Sequence, residues 1–512
     1  MTRGANGKTG KPRASVRQKV AHGAFLITAA RSVSRALDLV TLMVLARLLT
    51  PADFGLVAIA TSAVQLTEAM LELPTGNALL QLKSVGRKPL DTAFTFALLR
   101  GLFVAALLAG LSFPLANFFG DERLVPLICF LSVAPALRGL RSPRAFLLFK
   151  HLRFRPDATA EIFGKLAALC IAITLALETG SYWAIAAGSV ANPLFYVIAT
   201  YVLVPARPRF TLHSWRLFHR YLGWSIAAQG LSALNWQTDR FVLAKIASQT
   251  TVGLFATTRD IAAMPYKVIF ESIQRPVISA LSRSNGHRDR QGDTYRLTLS
   301  AVLSIGIPIA FAQAILAPQL VELVLGPQWL TVVLVFQAAS LTLIPGLFSS
   351  MTSSLLYASG KPNLIFTRNL YDWAARMPLT VGLTLWGGWK GAVMAFVVSD
   401  CLLAFLCMML VRRTVGISVF QQLAGAWRAA ISGICMVGIM LVVGHSTEAG
   451  SGPLGIILYL LWMVPLAGSV YAVMLLVIWI SIGRPDGIER LAFHFAEPLL
   501  PKTARRIVLG RS

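Results

Sequence analysis

Apolar residues run along this chain in long blocks from about Val20 to Ile482, parted by short polar breaks. The blocks are 18 residues or longer, enough for a helix to cross a hydrocarbon core of roughly 30 Å. Alternating segments of about ten residues, the mark of a transmembrane barrel, do not occur. The pattern predicts fourteen helices, at about 20–46, 53–80, 92–119, 124–142, 157–178, 182–204, 219–245, 252–281, 297–325, 328–357, 363–386, 390–411, 424–444 and 454–482. The expected class is an all-α polytopic membrane protein with both termini on one side.

One break shows how the blocks end. Residues 47–60 read RLLTPADFGLVAIA. Pro51 ends the first helix, because the residue before a proline leaves the α region. Asp53 can cap the second helix, and Gly55 allows helices to approach closely. The break has a partner 198 residues on, AKIASQTTVGLFATT at 244–258. Ala46/Ala244, Gly55/Gly253, Leu56/Leu254 and Ala58/Ala256 are identical across the two copies. Asp91-Thr92 recurs as Asp293-Thr294, and Pro135-Ala-Leu137 as Pro345-Gly-Leu347. The repeat predicts two six-helix lobes, 20–204 and 219–413, joined by a linker at 205–218. A helix pair at 414–482 follows, and basic tails occupy 1–19 and 483–512. Parallel repeats of this kind bind cargo between the lobes and expose it alternately to the two sides.

Composition changes the picture at one point. Net charge is +25, although only 13% of the 512 residues are charged. In a soluble chain that excess would point to nucleic acid. Here the basic residues fall in alternate connections: Arg3 to Lys19, Lys83 to Lys88, Arg141 to Arg155, Arg207 to Arg220, Arg283 to Arg296, Arg412/Arg413 and Arg484 to Arg511. The connections at 178–181, 326–328 and 445–452 nearly lack them. That is the positive-inside pattern; it puts both termini in the cytoplasm and excludes a nucleic-acid partner. The five cysteines lie inside apolar blocks without a CxxC pair and read as small buried hydrophobes.

The stretch RLLTPADFGLVAIA, followed by Asp91-Thr-Ala-Phe94, Leu152-Arg-Phe-Arg155, Gly253-Leu-Phe255 and Pro276, resembles the Wzx-type oligosaccharide flippases. These form the polysaccharide transporter family of the multidrug/oligosaccharidyl-lipid/polysaccharide exporter superfamily. The resemblance covers about residues 20–420. Glu72-Leu-Pro74, Asp239-Arg240 and the turn Ser248-Gln-Thr-Thr depart from the family pattern. The resemblance implies two lobes in a V that open alternately in a bacterial inner membrane. It implies a polyprenyl-pyrophosphate-linked oligosaccharide as cargo, in capsule, exopolysaccharide or lipopolysaccharide synthesis. Membrane lipids and a polysaccharide polymerase or export machinery are the partners it suggests.

Ionisable residues at bilayer depth are the candidate site, since each costs roughly 2.5–3.5 kcal/mol at a helix centre. Arg31, Arg35 and Asp38 share one face of helix one, Glu68 and Glu72 one face of helix two. Asp260, Lys267 and Glu271 do so in helix eight, and Arg368, Asp372 and Arg376 in helix eleven. Arg100 and Asp400 stand alone. Under the family reading, Arg31, Arg35, Lys267 and Arg376 would hold the pyrophosphate, because arginine forks match its oxygens. Glu68, Glu72, Glu271 and Asp400 would take a coupling ion. The competing reading is mutual neutralisation, with Arg35–Asp38, Arg368–Asp372 and Lys267–Glu271 at ion-pair spacing. Glu161 and Lys165 read as a structural pair.

No cofactor or metal is expected. Gly4-Ala-Asn-Gly-Lys-Thr9 lacks the first glycine of a phosphate loop and follows no strand, and HExxH, GxSxG and paired CxxC motifs are absent. The chain is therefore expected not to be an enzyme. Two alternatives stand beside the flippase: a cation-coupled small-molecule exporter, and a polytopic glycan polymerase, which would need a larger outer loop.

Overall fold

In the computed structural model, the described residues are 16–72, 79, 85–150, 155–215, 224–446 and 452–483. The Gly4–Thr9 stretch, Leu152 to Phe154, Pro74, Lys83, most of both basic tails and the centre of the 445–452 connection lie outside them.

The described residues are mostly helical, with no strand among them. The first half comprises α1 (Val16–Leu48), α2 (Pro51–Met70), α3 (Arg87–Phe119), α4 (Leu124–Leu131), α5 (Val133–Gly139), α6 (Ala145–Lys150), α7 (Arg155–Thr179) and α8 (Trp183–Leu203). The second comprises α9 (Trp224–Ile246), α10 (Gln249–Ala262), α11 (Met264–Arg283), α12 (Arg288–Ile315), α13 (Ala317–Leu325), α14 (Val333–Leu341), α15 (Leu343–Ala358) and α16 (Pro362–Val415). Short α17 (Val419–Ala424), then α18 (Trp427–Ser446) and α19 (Pro453–Ser481), close the chain. Eight described helical stretches are long and apolar enough to cross a membrane. The chain is thus an all-α polytopic membrane protein.

Several predicted helices are broken. The segments at 124–142, 252–281 and 297–325 each divide in two, with breaks at Ser132, Ala263 and Leu316. The helices expected at 363–386 and 390–411 are the two arms of α16, parted at Gly388, whose φ of 59° and ψ of −138° are not helical. Only glycine takes that conformation readily. The helix predicted at 53–80 stops at Met70, because Leu71 leaves helical geometry at φ −106° and ψ 15°. Glu72 therefore lies past the helix end, exposed.

The hairpin after α1 explains its own sequence. Thr50, rather than Asp53, is the N-cap. Its hydroxyl accepts from the Asp53 N–H at 3.3 Å, and the Asp53 carboxylate accepts from the Thr50 N–H at 3.0 Å. This reciprocal box satisfies two orphan donors, and Pro51 sits where no N–H is needed. In the second copy Ser248 caps α10 in the same manner, accepting from the Thr251 N–H at 3.3 Å.

The halves meet at the hairpin end. One apolar core joins Leu45, Leu56, Leu124 and Ile128 of the first half to Leu243, Phe255, Trp329 and Phe396 of the second. A second core, around Tyr295, Leu347, Leu355 and Val411, lies within the second half and takes in Met436 and Met463 of α18 and α19.

Candidate functional site

At the hairpin end the two copies of the repeat touch. A methyl on Gly55 would overlap the Gln249 carbonyl oxygen, and one on Gly253 would overlap the Pro51 carbonyl oxygen. Only hydrogens fit there. Around this crossing, polar groups tie half to half. Arg123 Nη2 donates to Gln249 Oε1 at 2.9 Å, and Gln249 donates to Asp121. Lys245 Nζ donates to the Phe118 carbonyl at 2.6 Å, and Arg47 Nη2 to the Leu323 carbonyl at 2.9 Å. Trp329 Nε1 reaches the Ala46 carbonyl at 3.2 Å, and its ring meets Phe54 edge-on at 5.4 Å. The hairpin end is closed.

Away from it lies a cavity of about 750 Å³. Gln65, on its wall, is fourteen residues along α2 from Pro51, about 20 Å at 1.5 Å per residue. The second half supplies most of the lining, with Gln65 and Ala69 facing it from the first. Gln237 Nε2 donates to Gln65 Oε1 at 2.9 Å across that gap.

The charged groups of the cavity fall into two sets. Arg376, 4% exposed, is held by three carboxylates, from α9 and from the two arms of α16. Its Nη2 lies 2.7 Å from Asp400 and 3.3 Å from Asp372, and its Nη1 lies 3.7 Å from Asp239. Asp239 also pairs with Arg259 and accepts from Thr380 at 3.2 Å. Arg259 in turn lies over the rings of Trp236 and Phe396, at 5.4 and 5.2 Å. Arg240 pairs with Asp260 at 2.7 Å. This network sets four carboxylates against three guanidiniums and joins α9, α10 and both arms of α16.

Lys267 and Arg368 stand apart from it. Both line the cavity, and neither has a carboxylate partner among the described residues. Arg368 is oriented by neutral groups: Nη1 donates to Ser353 Oγ at 2.6 Å and to the Ser349 carbonyl at 3.2 Å, while Nη2 donates to Asn369 Oδ1 at 2.7 Å. The expected Arg368–Asp372 pair does not form; Asp372 turns to Arg376. Lys267 Nζ lies 5.6 Å from the centre of the Trp236 ring, a cation–π contact. The side chain of Glu271 lies outside what the structure describes. Ser349, Ser350, Asn235, Gln274, Trp236 and Tyr266 surround the two cations. Such a lining combines two fixed positive charges with hydroxyl, amide and aromatic surface.

The other sequence candidates lie elsewhere. Arg31 is exposed and Arg35 half-buried; neither lines the cavity, and neither side chain bonds a described residue. Asp38 pairs with Lys165 of α7, not with Arg35, and Ser34 Oγ donates to Glu161 at 2.9 Å. Glu161 and Lys165 thus fasten α7 to α1. Glu68 pairs with Arg138 of α5. Arg100 is a helix cap: Nε and Nη2 donate to the carbonyls of Leu71 and Glu68 at 2.7 and 2.6 Å. Those last-turn carbonyls have no helical partner, and a cation suits the negative end of the dipole. Arg368 stands in the bilayer-depth set read from the sequence, without a binding role there; Lys165 reads as half of a structural pair, and Arg138 carries no signal in the sequence.

A family model described as "Polysaccharide biosynthesis protein" matches residues 44–334. The chain is 23% identical over 382 residues to an uncharacterized membrane protein in the cps region of Klebsiella pneumoniae, covering 72% of this chain and 77% of that one. It is 23% identical over 426 residues to the lipopolysaccharide biosynthesis protein WzxC of Escherichia coli, covering 81% and 85%. Among solved structures, the lipid II flippase MurJ in an inward closed conformation superposes with a TM-score of 0.71, at 13% identity, over 90% of this chain and 99% of that one. That likeness gives the fold.

Proposed function

Since this chain belongs to the polysaccharide biosynthesis protein family, we propose that it is a flippase. Its cargo is a polyprenyl-pyrophosphate-linked oligosaccharide, carried across a bacterial inner membrane by alternating access. It is a transporter and not an enzyme, and its two halves are the lobes, 20–204 and 219–413, of that movement. Both termini face the cytoplasm, so the closed hairpin end faces outward and the cavity is the inward-side site.

One observation carries the reading: the cavity holds two cations, Lys267 and Arg368, that form no ion pair with a described carboxylate. A diphosphate needs charge and forked donors, and Arg368 supplies a guanidinium already oriented by Ser349, Ser353 and Asn369. The serines, amides and aromatic rings around it suit sugar hydroxyls and ring faces. Of the pyrophosphate candidates, Arg376 is the scaffold of the cavity. Arg31 and Arg35, which bond no described residue, are assigned to the cargo's path outside it. Asp400 and Glu68 each hold an arginine, so a coupling ion at either would have to displace that guanidinium. The same two cations, in no ion pair with a described carboxylate, weigh against an exporter of cationic small molecules.

The test is flipping in proteoliposomes. A labelled polyprenyl-pyrophosphate oligosaccharide placed in the cavity-side leaflet is expected to appear in the other leaflet with the wild-type chain and not with a Lys267→Gln/Arg368→Gln chain. Equal flipping by both would remove the cavity from the mechanism. Transport of small organic cations by the wild-type chain, without the lipid, would favour the exporter.

A further inference from the structure

We propose a second anion site, separate from the cargo cavity, which takes the phosphate headgroup of an anionic phospholipid. A cavity of about 650 Å³ lies at the end of the first half opposite the hairpins. Arg87, Arg144 and Arg207 line it, with Tyr201, Leu90 and Leu147 among the remaining walls.

The cavity is built, not incidental. The segment after α8 is strapped across the first turns of α3 by buried polar groups. Arg209 N–H donates to Asp91 at 3.4 Å, Thr211 N–H to Thr95 Oγ1 at 3.0 Å, and Ser214 N–H to Thr92 Oγ1 at 3.3 Å. Asp91, Thr92 and Thr95 are all under 9% exposed. Arg144 Nη1 donates to the Pro205 carbonyl at 2.8 Å, and Arg87 Nη2 to the Arg207 carbonyl at 3.4 Å. These bonds fix two guanidiniums at the rim, and among the described residues their one further partner is Asp91, beside Arg87. The Arg207 side chain is exposed and bonds none of the described residues. The single lining carboxylate, Asp91, is shared by Arg87 at 3.6 Å and the Arg209 N–H. Three cations against one occupied carboxylate leave a positive pocket.

The surroundings select the source of the anion. Val202 at the end of α8 and Phe210 on the strap are exposed by 72% and 76%. A pocket of arginines beside a fringe of exposed apolar side chains fits an amphiphile, with phosphate in the pocket and acyl chains along the fringe. Basic pockets between helices at the cytoplasmic side hold such headgroups. The leaflet assignment rests on the orientation proposed above; the pocket itself does not. Because the strap is the chain's link between α8 and α9, a lipid seated there holds the joint between the two halves.

Thermal unfolding of the full-length chain in detergent, titrated with phosphatidylglycerol, phosphatidylcholine or inorganic phosphate, tests this. Phosphatidylglycerol is expected to raise the wild-type Tm saturably, with little effect from the other two. Arg207→Gln is expected to weaken the phosphatidylglycerol response about fivefold, and Arg144→Gln/Arg207→Gln further. Arg207→Gln removes no described contact, so it reports even where the double variant fails to fold. An unchanged response in Arg207→Gln would overturn the site. An equal response to inorganic phosphate would overturn the lipid as its source. Flipping of the cargo by Arg207→Gln in vesicles lacking anionic phospholipid should match wild type, which separates this site from the cargo cavity.

Discussion

Gly55 and Gly253 lie backbone to backbone, and the contact is reciprocal. Gly55 abuts the carbonyl of Gln249 and Gly253 that of Pro51, and both partners are related by the 198-residue offset that relates the glycines themselves. A self-complementary contact of this kind is what a twofold relation between two copies produces. The hairpin repeated in the sequence therefore closes the molecule on itself.

Alanine at either glycine should open that closure. The overlap is with backbone, which cannot rotate away, so Gly55→Ala or Gly253→Ala should cost about 1–3 kcal/mol of the closed state. The readout is labelling of a cysteine at Phe54, buried beneath Trp329, by an impermeant maleimide. Labelling should speed up by about tenfold or more in the alanine variants. Unchanged labelling would mean that the crossing does not hold the end shut.

The latch beside the crossing should ignore physiological pH. Arg123, by side-chain hydrogen bond, holds the Asp121 carboxyl below the usual carboxylate range, and Gln249 adds to this against an opposing effect of burial. A carboxylate lowered in the folded state stabilises above its unfolded pKa of about 3.9, and that stabilisation is lost as pH falls through the lower folded value. The Phe54 cysteine should thus label at the same rate from about pH 5 to pH 8. Asp121→Asn should raise the rate throughout that range. A rise on acidification within it that Asp121→Asn abolishes would contradict the assignment.

Arg376 should matter for folding before it matters for cargo. Removing one partner from a buried pair strands the others and costs about 3–5 kcal/mol. Arg376→Gln is therefore expected to lose folded protein, by size-exclusion profile and Tm. Arg368→Gln, which breaks bonds to neutral groups, should keep both near wild type. If Arg376→Gln folds normally yet fails to bind cargo, the division of roles drawn here is reversed.

Arg100→Gln should behave as the loss of a helix cap. Two charge-assisted bonds to the last carbonyls of α2 disappear, which is worth about 2 kcal/mol. The Tm should fall while cargo affinity stays. A loss of affinity at unchanged Tm would instead make Arg100 a site residue.

What the sequence made legible follows from range along the chain. The turn at Pro51 and the glycine pairing are local or repeated, and they read correctly from spacing. The partners of the charges did not. Arg368 and Arg376 share a helix face at multiples of four, yet one meets serines and the other three aspartates. The difference comes from α15 and α9 and from the second arm of α16, which no spacing along one helix encodes. Likewise Asp38 finds Lys165 and Glu68 finds Arg138 across 127 and 70 residues. The early end of α2 was missed because its last turn is held by Arg100, about thirty residues on, rather than by its own sequence.

The most direct measurement is the equilibrium affinity of the purified chain for a polyprenyl-pyrophosphate oligosaccharide. It should be compared with the same lipid carrying a monophosphate. Wild type is expected to prefer the pyrophosphate. Lys267→Gln and Arg368→Gln should each weaken that binding roughly 10–100-fold and erase the preference. Arg31→Ala, outside the cavity, should leave the affinity near wild type while slowing flipping. Full affinity and full preference in the Lys267→Gln/Arg368→Gln chain, folded and monodisperse, would contradict the account.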